Sequence, residues 1–330
     1  MTNKQHPLGS GFTAASTADD VVDGIDLSGR TAVVTAGHVG LGLETTRALS
    51  KAGASVIVGA RSPQRARETL AGIDRVEICP LDLMDPVSID AFTHQFGESG
   101  RPLHILIDNA GIMGGDLIRD TRGYESQFAT NHLGHFQLTL GLLPALRAAG
   151  GARVVSVSSA GHRLSDIRWD DPHFETGPYD GMIGYGQSKT ANVLFAVELD
   201  RRWANDGIRG YALHPGQIAT TSLAPRITQD DLRRMGLLDR AGAPIIDANR
   251  DMKTPQQGAA TSVWAATSPK LDGIGGVYLQ NSDIAPVAPL EHLTADITAG
   301  PVETTAGVAP YAVDPHSAQR LWELSEKLLG

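Results

Sequence analysis

The 330-residue sequence has a single cysteine, only 5% aromatic residues and no long apolar run. One thiol cannot form an internal disulfide, so Cys79 fits a reducing compartment. No stretch approaches the ~20 apolar residues of a membrane-spanning helix. The start of the chain also lacks a basic segment followed by an apolar run, the mark of a signal peptide. We therefore expect a cytoplasmic protein without a membrane anchor.

An excess of positive charge is missing as well. The formal net charge is -9 at pH 7, which argues against nucleic acid or an anionic membrane surface as the main partner. Hydrophobic residues make up 41% of the chain, enough to form a buried core at this length.

Short β-branched runs alternate with segments of helical periodicity. The runs typical of strands are 30–36, 54–60, 75–79, 103–107, 153–157, 208–213 and 276–279. Several are almost continuously apolar, as in strands covered on both faces. The alternation predicts an α/β fold, a doubly wound (Rossmann) parallel sheet of about seven strands with helices on both faces. Ligands of such sheets bind beyond the carboxyl ends of the strands.

Other segments complete the predicted organisation. Residues 1–28 are expected to be a loose N-terminal arm, followed by one domain over 29–330. Within it, 222–252 is predicted to be a substrate-side insertion and 282–312 an irregular loop, since loops of this length are often functional. Residues 316–329 have the pattern of an amphipathic C-terminal helix.

A glycine-rich turn, TAGHVGLG, occupies residues 35–42 after the first strand. Glycines there let the backbone pass close to a pyrophosphate at the N-terminus of the next helix. The alternative is an ordinary strand–helix turn, because short glycine motifs also occur by chance. The candidate cofactor-binding residues of this turn are Thr35, Gly37, His38, Gly40 and Leu41.

Three later strand ends carry further candidates for a dinucleotide. No acidic residue follows the second strand, and Arg61 is placed to pair with the 2′-phosphate of NADP, unless it is simply solvated. Asp82, next to Leu83, is a candidate for the adenine amino group or for a helix cap. The small residues Asn109, Ala110 and Gly111 leave room for a cofactor. We therefore expect NADP as cofactor, with NAD possible.

Tyr185 and Lys189 are four residues apart and share one face of a predicted helix. Free tyrosine titrates near ~10, and a neighbouring ammonium is expected to lower that pKa enough for proton transfer. Ser159, at the end of the fifth strand, is a candidate for hydrogen bonding a substrate oxygen. The pair alone is weak evidence; the order of glycine turn, serine, Tyr/Lys and then His214-Pro215-Gly216 strengthens it.

With these motifs the chain resembles the short-chain dehydrogenase/reductase family from about residue 29 to 279. Residues 130–136 (TNHLGHF) and 185–192 (YGQSKTAN) resemble its retinol-dehydrogenase-like branch and the soluble bacterial relatives. The resemblance implies hydride transfer between NADP(H) and a carbonyl or alcohol.

The resemblance also implies roles for individual residues. Tyr185 would be the general acid/base, Ser159 the partner of the substrate oxygen, and Lys189 the partner of the ribose and of the tyrosine. Asn131 would hold a water in a proton relay. The residues expected near the nicotinamide are Pro215, Gly216, Ile218 and Thr220. Because the family often pairs through the two helices that here contain Asn131 and Lys189, a homodimer or homotetramer is expected.

One position departs from the family pattern. The glycine turn of the family reads Thr-Gly-x-x-x-Gly-x-Gly, whereas here Ala36 stands second and Gly37 third. Alanine disfavours the left-handed region. We expect the turn to survive with weakened cofactor affinity, or with Gly37 taking over the tight bend.

Four further histidines and two alternative functions complete the interpretation of the sequence. His132 and His135 resemble a metal pair by spacing, but no further ligand matches and no metal is expected. His162 and His173, between Ser159 and Tyr185, line the substrate pocket or are solvated. The alternatives to an NADP-dependent enzyme are an NAD-linked alcohol dehydrogenase and a non-catalytic dinucleotide-binding protein.

Overall fold

An eight-stranded sheet forms the centre of the computed structural model, which describes residues 4–220, 223, 228–288 and 307–330. Its order is β3-β2-β1-β4-β5-β6-β7-β8. The strands are β1 (Thr31–Thr35), β2 (Ser55–Ala60), β3 (Val76–Pro80), β4 (Ile105–Asp108), β5 (Ala152–Val157), β6 (Ile208–His214), β7 (Val277–Gln280) and β8 (Asp283–Ile284). The predicted doubly wound parallel sheet is confirmed, and its order reverses between β1 and β4.

The strand count of about seven is corrected to eight. The additional strand, β8, has two residues and pairs antiparallel with β7, with Leu279 opposite Ile284. Asn281 and Ser282 make the tight connection with φ of 55° and 57°. Two residues are too few to show a periodicity in the sequence.

Helices cover both faces of the sheet. They are α1 (Ala18–Val22), α2 (Gly40–Lys51), α3 (Pro63–Thr69), α4 (Pro86–Glu98), α5 (Ser126–Phe128), α6 (Gly134–Ala148), α7 (Gly181–Trp203), α8 (Gln229–Arg234), α9 (Pro255–Thr267) and α10 (Pro315–Leu329). One face packs against α1, α2 and α9, and the other against α4, α6 and α7. No helix in the described ranges is long and apolar enough to cross a membrane.

The N-terminal arm differs from the loose segment expected over 1–28. Gln5 is buried, and its side-chain amide donates to the carbonyl oxygens of Tyr278 and Ala285 at 2.5 and 2.6 Å. The carboxylate of Asp283 accepts the backbone N–H groups of residues 8–10. Helix α1 then packs on α9. Side-chain-to-backbone bonds of this kind leave no hydrophobic period, so no pattern in residues 1–28 predicts the docking.

The two predicted loops are partly structured. Within 222–252 the described part holds α8 and a 3₁₀ turn, Ala248–Arg250. Within 282–312 it holds β8 and a 3₁₀ turn, Pro310–Val313, while 222, 224–227 and 289–306 lie outside the described residues. The C-terminal helix α10 packs along α7.

Candidate active site

The glycine-rich turn joins β1 to α2 at the carboxyl edge of the sheet. Ala36 and Gly40 both have a φ of 52°, whereas Gly37 does not have a positive φ. The prediction that Gly37 takes over the bend is therefore wrong, and Ala36 itself occupies the left-handed region. Gly37 is instead required by packing, because a Cβ there would lie 2.6 Å from Thr46 Oγ1 and 2.9 Å from Val58 Cγ2.

The start of α2 suits a pyrophosphate. Its N-cap, Val39, makes no side-chain cap bond, and the first turn, which includes Gly40 and Leu41, contains no acidic residue. The N–H groups of this turn therefore have no side-chain competitor for an anion. A Cβ at Gly42 would contact the Ala36 carbonyl and lie 2.6 Å from Asn109 Nδ2, so the turn also has to be glycine there. These features fit a bound dinucleotide.

Thr35 ties the glycine turn to the end of β4. Its Oγ1 accepts the N–H groups of Asn109 and Ala110, each at 2.9 Å, and Asn109 Nδ2 donates to the Thr35 carbonyl at 2.9 Å. Gly111 follows, and a Cβ there would lie 3.4 Å from both Asn131 Oδ1 and Lys189 Nζ. The structure thus brings the predicted turn and the predicted switch region of the sheet together.

Three basic side chains gather near the end of β2. Arg61 follows the strand, and α3 carries Arg65 one turn further on; both are exposed. Burial, then the charges of Arg65 and Arg61, lower the pKa of His38. Arg65 was not among the candidates, although its spacing of four from Arg61 was a usable signal.

Asp82 and Leu83 lie at the end of β3. Asp82 Oδ1 accepts the Met84 N–H at 3.0 Å, while the N-cap of α4 is Asp85. Asp82 is therefore not the helix cap that was its alternative. Leu83 is buried against Gly134, where any Cβ would collide with its backbone.

Ser159 and Tyr185 meet beyond β5. Ser159 is the N-cap of a 3₁₀ turn, Ala160–Leu164, and its Oγ accepts the Gly161 N–H at 3.0 Å. Its hydroxyl is hydrogen bonded to the side chain of Tyr185, on the first turns of α7. A Cβ at Gly161 would lie 2.6 Å from Tyr185 Cε1, so the tyrosine ring rests on this backbone. Gly161 is a residue that the sequence analysis missed.

Lys189 completes the group. Its Nζ lies 5.7 Å from the centroid of the Tyr185 ring and donates to the Val157 carbonyl at 2.9 Å. Burial lowers the pKa of Lys189 to about 7. Burial also raises the pKa of Tyr185 to about 12, against the opposite effect of the Ser159 hydrogen bond. The expected lowering of the tyrosine pKa is thus wrong for the protein by itself, because desolvation disfavours charge on both groups.

Asn131 lies in a π-helical turn, Ala129–Leu133, between α5 and α6. Its side chain bonds both polar groups of the Ile112 backbone, at 2.9 and 3.0 Å, and donates to Ser188 Oγ at 2.9 Å. Its carbonyl accepts from Asn192 Nδ2 at 2.8 Å and from His135 Nδ1 at 3.0 Å. These bonds make Asn131 a brace between the residues after β4 and helix α7.

The residues after β6 lie over α9. Gly216 has a φ of 97°, and a Cβ there would lie 2.6 Å from Lys253 Cδ. A Cβ at Gly258 would lie 3.0 Å from Ile218 Cδ1 and 2.6 Å from Leu41 Cδ2, so these two side chains converge at α9. Pro215 is buried, whereas Thr220 is exposed.

The histidines with metal-like spacing have other partners. His132 Nε2 is bonded to Ser325 Oγ of α10 at 2.7 Å, and His135 Nε2 to Thr35 Oγ1 at 2.9 Å. Within the described part of the chain, no group of three or more His, Cys, Asp or Glu side chains is arranged to hold a metal. His162 and His173 are buried, contrary to a solvated role.

Known proteins resemble this chain along nearly its whole length. The family model described as short chain dehydrogenase matches residues 30–231. A "probable oxidoreductase" of Streptomyces lividans is 45% identical, covering 93% of this chain and 99% of the relative. Retinol dehydrogenase 12 of Mus musculus is 33% identical, covering 93% and 88%. A solved structure of an uncharacterised protein from Mycobacterium paratuberculosis has a TM-score of 0.69 at 31% identity, covering 95% of this chain and 97% of its own.

The family model and the relatives imply the same activity for the chain, which is NAD(P)-dependent oxidation of CH–OH groups or reduction of C=O groups. The chain belongs to the short-chain dehydrogenase/reductase family, in its retinol-dehydrogenase-like branch.

Proposed function

We propose that the protein transfers hydride between NADP(H) and a carbonyl or alcohol substrate, with Tyr185 as general acid/base. The observation that carries this proposal is the hydrogen bond of the buried Tyr185 side chain to Ser159, with Lys189 Nζ 5.7 Å from the centroid of the tyrosine ring. When bound, the nicotinamide supplies or accepts the hydride. The three side chains handle the proton that must accompany it.

Each of the three side chains has one task in this proposal. The Ser159 hydroxyl binds the substrate oxygen and stabilises charge that develops on it. The Tyr185 hydroxyl donates its proton to that oxygen during reduction and takes it back during oxidation. Lys189, whose pKa burial lowers to about 7, can exchange a proton near neutral pH. Its Nζ lies beside Gly111 and is the candidate partner of the ribose hydroxyls.

NADP is favoured over NAD by the cations beyond β2. Arg61 and Arg65 both act on His38, and no carboxylate follows Ala60 in the sequence before Glu68. Guanidinium groups pair well with a phosphate, whereas a ribose 2′-hydroxyl is usually bound by a carboxylate. The candidate phosphate ligands are thus Arg61, Arg65 and His38.

The test follows NADPH absorbance with a panel of ketones and aldehydes. Tyr185→Phe should lower kcat by about 100- to 10,000-fold while the NADPH Kd stays within about twofold, because only the proton donor is removed. Full turnover by this variant on a good substrate contradicts the assignment of Tyr185. No turnover by the wild type on any carbonyl, with tight cofactor binding, supports the non-catalytic alternative.

Cofactor choice is tested separately by fluorescence titration. Arg61→Ala should weaken NADPH binding by about tenfold and leave NADH binding nearly unchanged, since only the former carries the 2′-phosphate. Equal losses for both cofactors contradict the pairing of Arg61 with the 2′-phosphate, and tighter binding of NADH than of NADPH by the wild type supports the NAD-linked alternative.

We also propose that the protein forms a homo-oligomer and acts in the cytoplasm. A homodimer or homotetramer through α6 and α7 would have to include α10, because α10 packs over α7 and Trp322 lies against Phe136 and Phe195. Sedimentation of the purified chain distinguishes these forms from a monomer. A cytoplasmic site is proposed from the single cysteine.

A further inference from the structure

The peptide unit between Ser159 and Ala160 is held by two histidine rings. His162 Nδ1 lies 2.6 Å from the Ser159 carbonyl oxygen. The Ala160 N–H donates to His214 Nδ1 at 3.0 Å. Both polar groups of this single peptide, directly after the serine of the site, are therefore bonded to imidazoles from different elements.

The partners of the two rings fix opposite tautomers. His162 Nε2 accepts the Ala309 N–H at 3.0 Å, so its proton is on Nδ1, where it faces the Ser159 carbonyl. His214 accepts on Nδ1 and therefore carries its proton on Nε2, 2.7 Å from Asp251 Oδ2. One ring donates to the peptide and the other accepts from it.

Both rings are enclosed. His162 is fully buried and His214 is 3% exposed. Burial lowers the pKa of His162 to about 3, which keeps the ring neutral and its donor pattern constant over the working range of most enzymes. A neutral imidazole with two unlike nitrogens is the side chain that can donate at one end and accept at the other.

Each of the two histidines is held by residues from another part of the chain. Asp251, with a φ of 59°, has Oδ1 3.3 Å from Lys253 Nζ, and Lys253 donates to Asn281 Oδ1 at 2.6 Å. On the other side, the carbonyl of His162 accepts the Tyr311 hydroxyl at 2.8 Å. The peptide is thus tied to the segment before α9 and to the segment before α10.

We propose that His162 and His214 are positioning residues that clamp the Ser159–Ala160 peptide and thereby aim the Ser159 hydroxyl beside Tyr185. The inference rests on the proposed function, in which Ser159 binds the substrate oxygen. Rotation of this peptide moves Oγ, and a displacement of about 1 Å in an active site lowers rates by about 100-fold.

Asparagine and glutamine separate the clamp from a general structural role at His214. An asparagine amide reaches the place of Nδ1, and a glutamine amide that of Nε2. His214→Asn keeps an acceptor for the Ala160 N–H but loses the hydrogen bond to Asp251. His214→Gln keeps the hydrogen bond to Asp251 but loses the acceptor for the Ala160 N–H. The clamp predicts that kcat falls about 10- to 100-fold in His214→Gln and clearly less in His214→Asn. A role limited to pairing Asp251 predicts the reverse order and overturns the proposal.

The same pair of variants applies to His162. The side chain of His162→Asn keeps a donor for the Ser159 carbonyl, whereas that of His162→Gln keeps only the acceptor for the Ala309 N–H. The backbone N–H of residue 162, which donates to the same carbonyl at 3.2 Å, is common to both variants. We expect His162→Gln to lose more kcat, with the NADPH Kd unchanged within about twofold for both. In a Ser159→Ala background neither glutamine variant should lower kcat further, because the clamp acts through that hydroxyl. An undiminished loss in that background contradicts the clamp.

Hydrogen exchange at the Ala160 amide, followed by NMR, gives a readout independent of turnover. Exchange should be at least tenfold faster in His214→Gln than in the wild type and nearly unchanged in His214→Asn, at equal thermal stability. Equal exchange in the two variants overturns the clamp even if the enzyme is active. Failure of the wild type to reduce any carbonyl refutes the proposed function instead, while the exchange result still decides the clamp.

Discussion

Ionisable side chains at the carboxyl edge of the sheet lie in two different environments. Beyond β2, Arg61 and Arg65 are exposed, so water solvates their guanidinium groups. Beyond β5, Tyr185 and Lys189 are 2% and 3% exposed. Burial raises the pKa of Tyr185 and lowers that of Lys189, so it favours the neutral form of both. The exposed side is suited to attracting an anion, and the buried side to moving a proton between nearly neutral groups.

This contrast implies that binding and reaction are separable in the molecule. A substitution beyond β2 should change cofactor affinity without changing kcat. A substitution of Ser159 or Tyr185, beyond β5, should lower kcat without changing cofactor affinity.

After Tyr185→Phe, the largest effect is expected for Ser159→Ala. Removing a hydroxyl that stabilises developing charge typically lowers kcat by about 100- to 1,000-fold. The matched control is Ser165→Ala, because Ser165 is half-buried in the same loop and, among the residues that the structure describes, its hydroxyl donates to the neighbouring Asp166 carbonyl alone, at 2.7 Å. Steady-state kinetics should show the loss in Ser159→Ala alone, with an unchanged NADPH Kd. Similar losses in both variants would mean that the loop is disturbed as a whole.

Acid stability should reveal the buried histidines. Burial, with a smaller contribution from His135, lowers the pKa of His132 to about 3. Between about pH 6.5 and pH 3 the unfolded chain therefore binds a proton that the folded one does not, and stability falls as the pH falls. His132→Gln should reduce this slope by about 1 kcal/mol per pH unit in urea unfolding at pH 6.5, 5.5 and 4.5.

The control for the acid slope is His94→Gln. The His94 side chain is 75% exposed, and its contact with Glu98 at 3.7 Å is a surface ion pair of little energetic weight, so its replacement should leave the slope of the unfolding free energy nearly as in the wild type. An unchanged slope in His132→Gln contradicts the neutral, buried state of that ring.

A smaller effect is expected on the exposed side. Arg65→Ala should raise the NADPH Kd by about tenfold, equivalent to about 1.4 kcal/mol, and leave kcat at saturating cofactor unchanged. Arg67→Ala is the control, because Arg67 is exposed on the same helix but its Nη1 bonds Gln64. A loss of kcat in Arg65→Ala would break the separation between the two sides.

Much of the fold could be predicted from the sequence, because strands buried on both faces of a parallel sheet consist of nearly continuous apolar residues. The candidate site was predicted from the order of its motifs, and Ser159, Tyr185 and Lys189 lie together in the structure. The clamp did not, since its parts are far apart: His162 and Ala309 are separated by 147 residues, and His214 and Asp251 by 37. No local pattern marks such a pair, and the sequence around His162 does not distinguish a pocket role from a solvated one.

Ala36 shows a different limit. The sequence showed that alanine replaces glycine at the bend and that alanine disfavours a positive φ. It did not show which residue bends, because that depends on packing: Thr46 and Val58 hold Gly37. Moreover, the Ala36 N–H donates to the Gly59 carbonyl at 2.8 Å, which fixes Ala36 beside β2.

The smallest effect is therefore expected for Ala36→Gly. The left-handed conformation costs alanine about 1–2 kcal/mol, and glycine's greater freedom in the unfolded chain offsets about 0.5–1 kcal/mol of the gain. The net stabilisation should be about 0.5–1 kcal/mol in urea unfolding. Ala52→Gly, at the end of α2 with a φ of -75°, should instead destabilise by a similar amount. If both variants lower stability alike, Ala36 is not strained, and the bend tolerates alanine for a reason other than its surroundings.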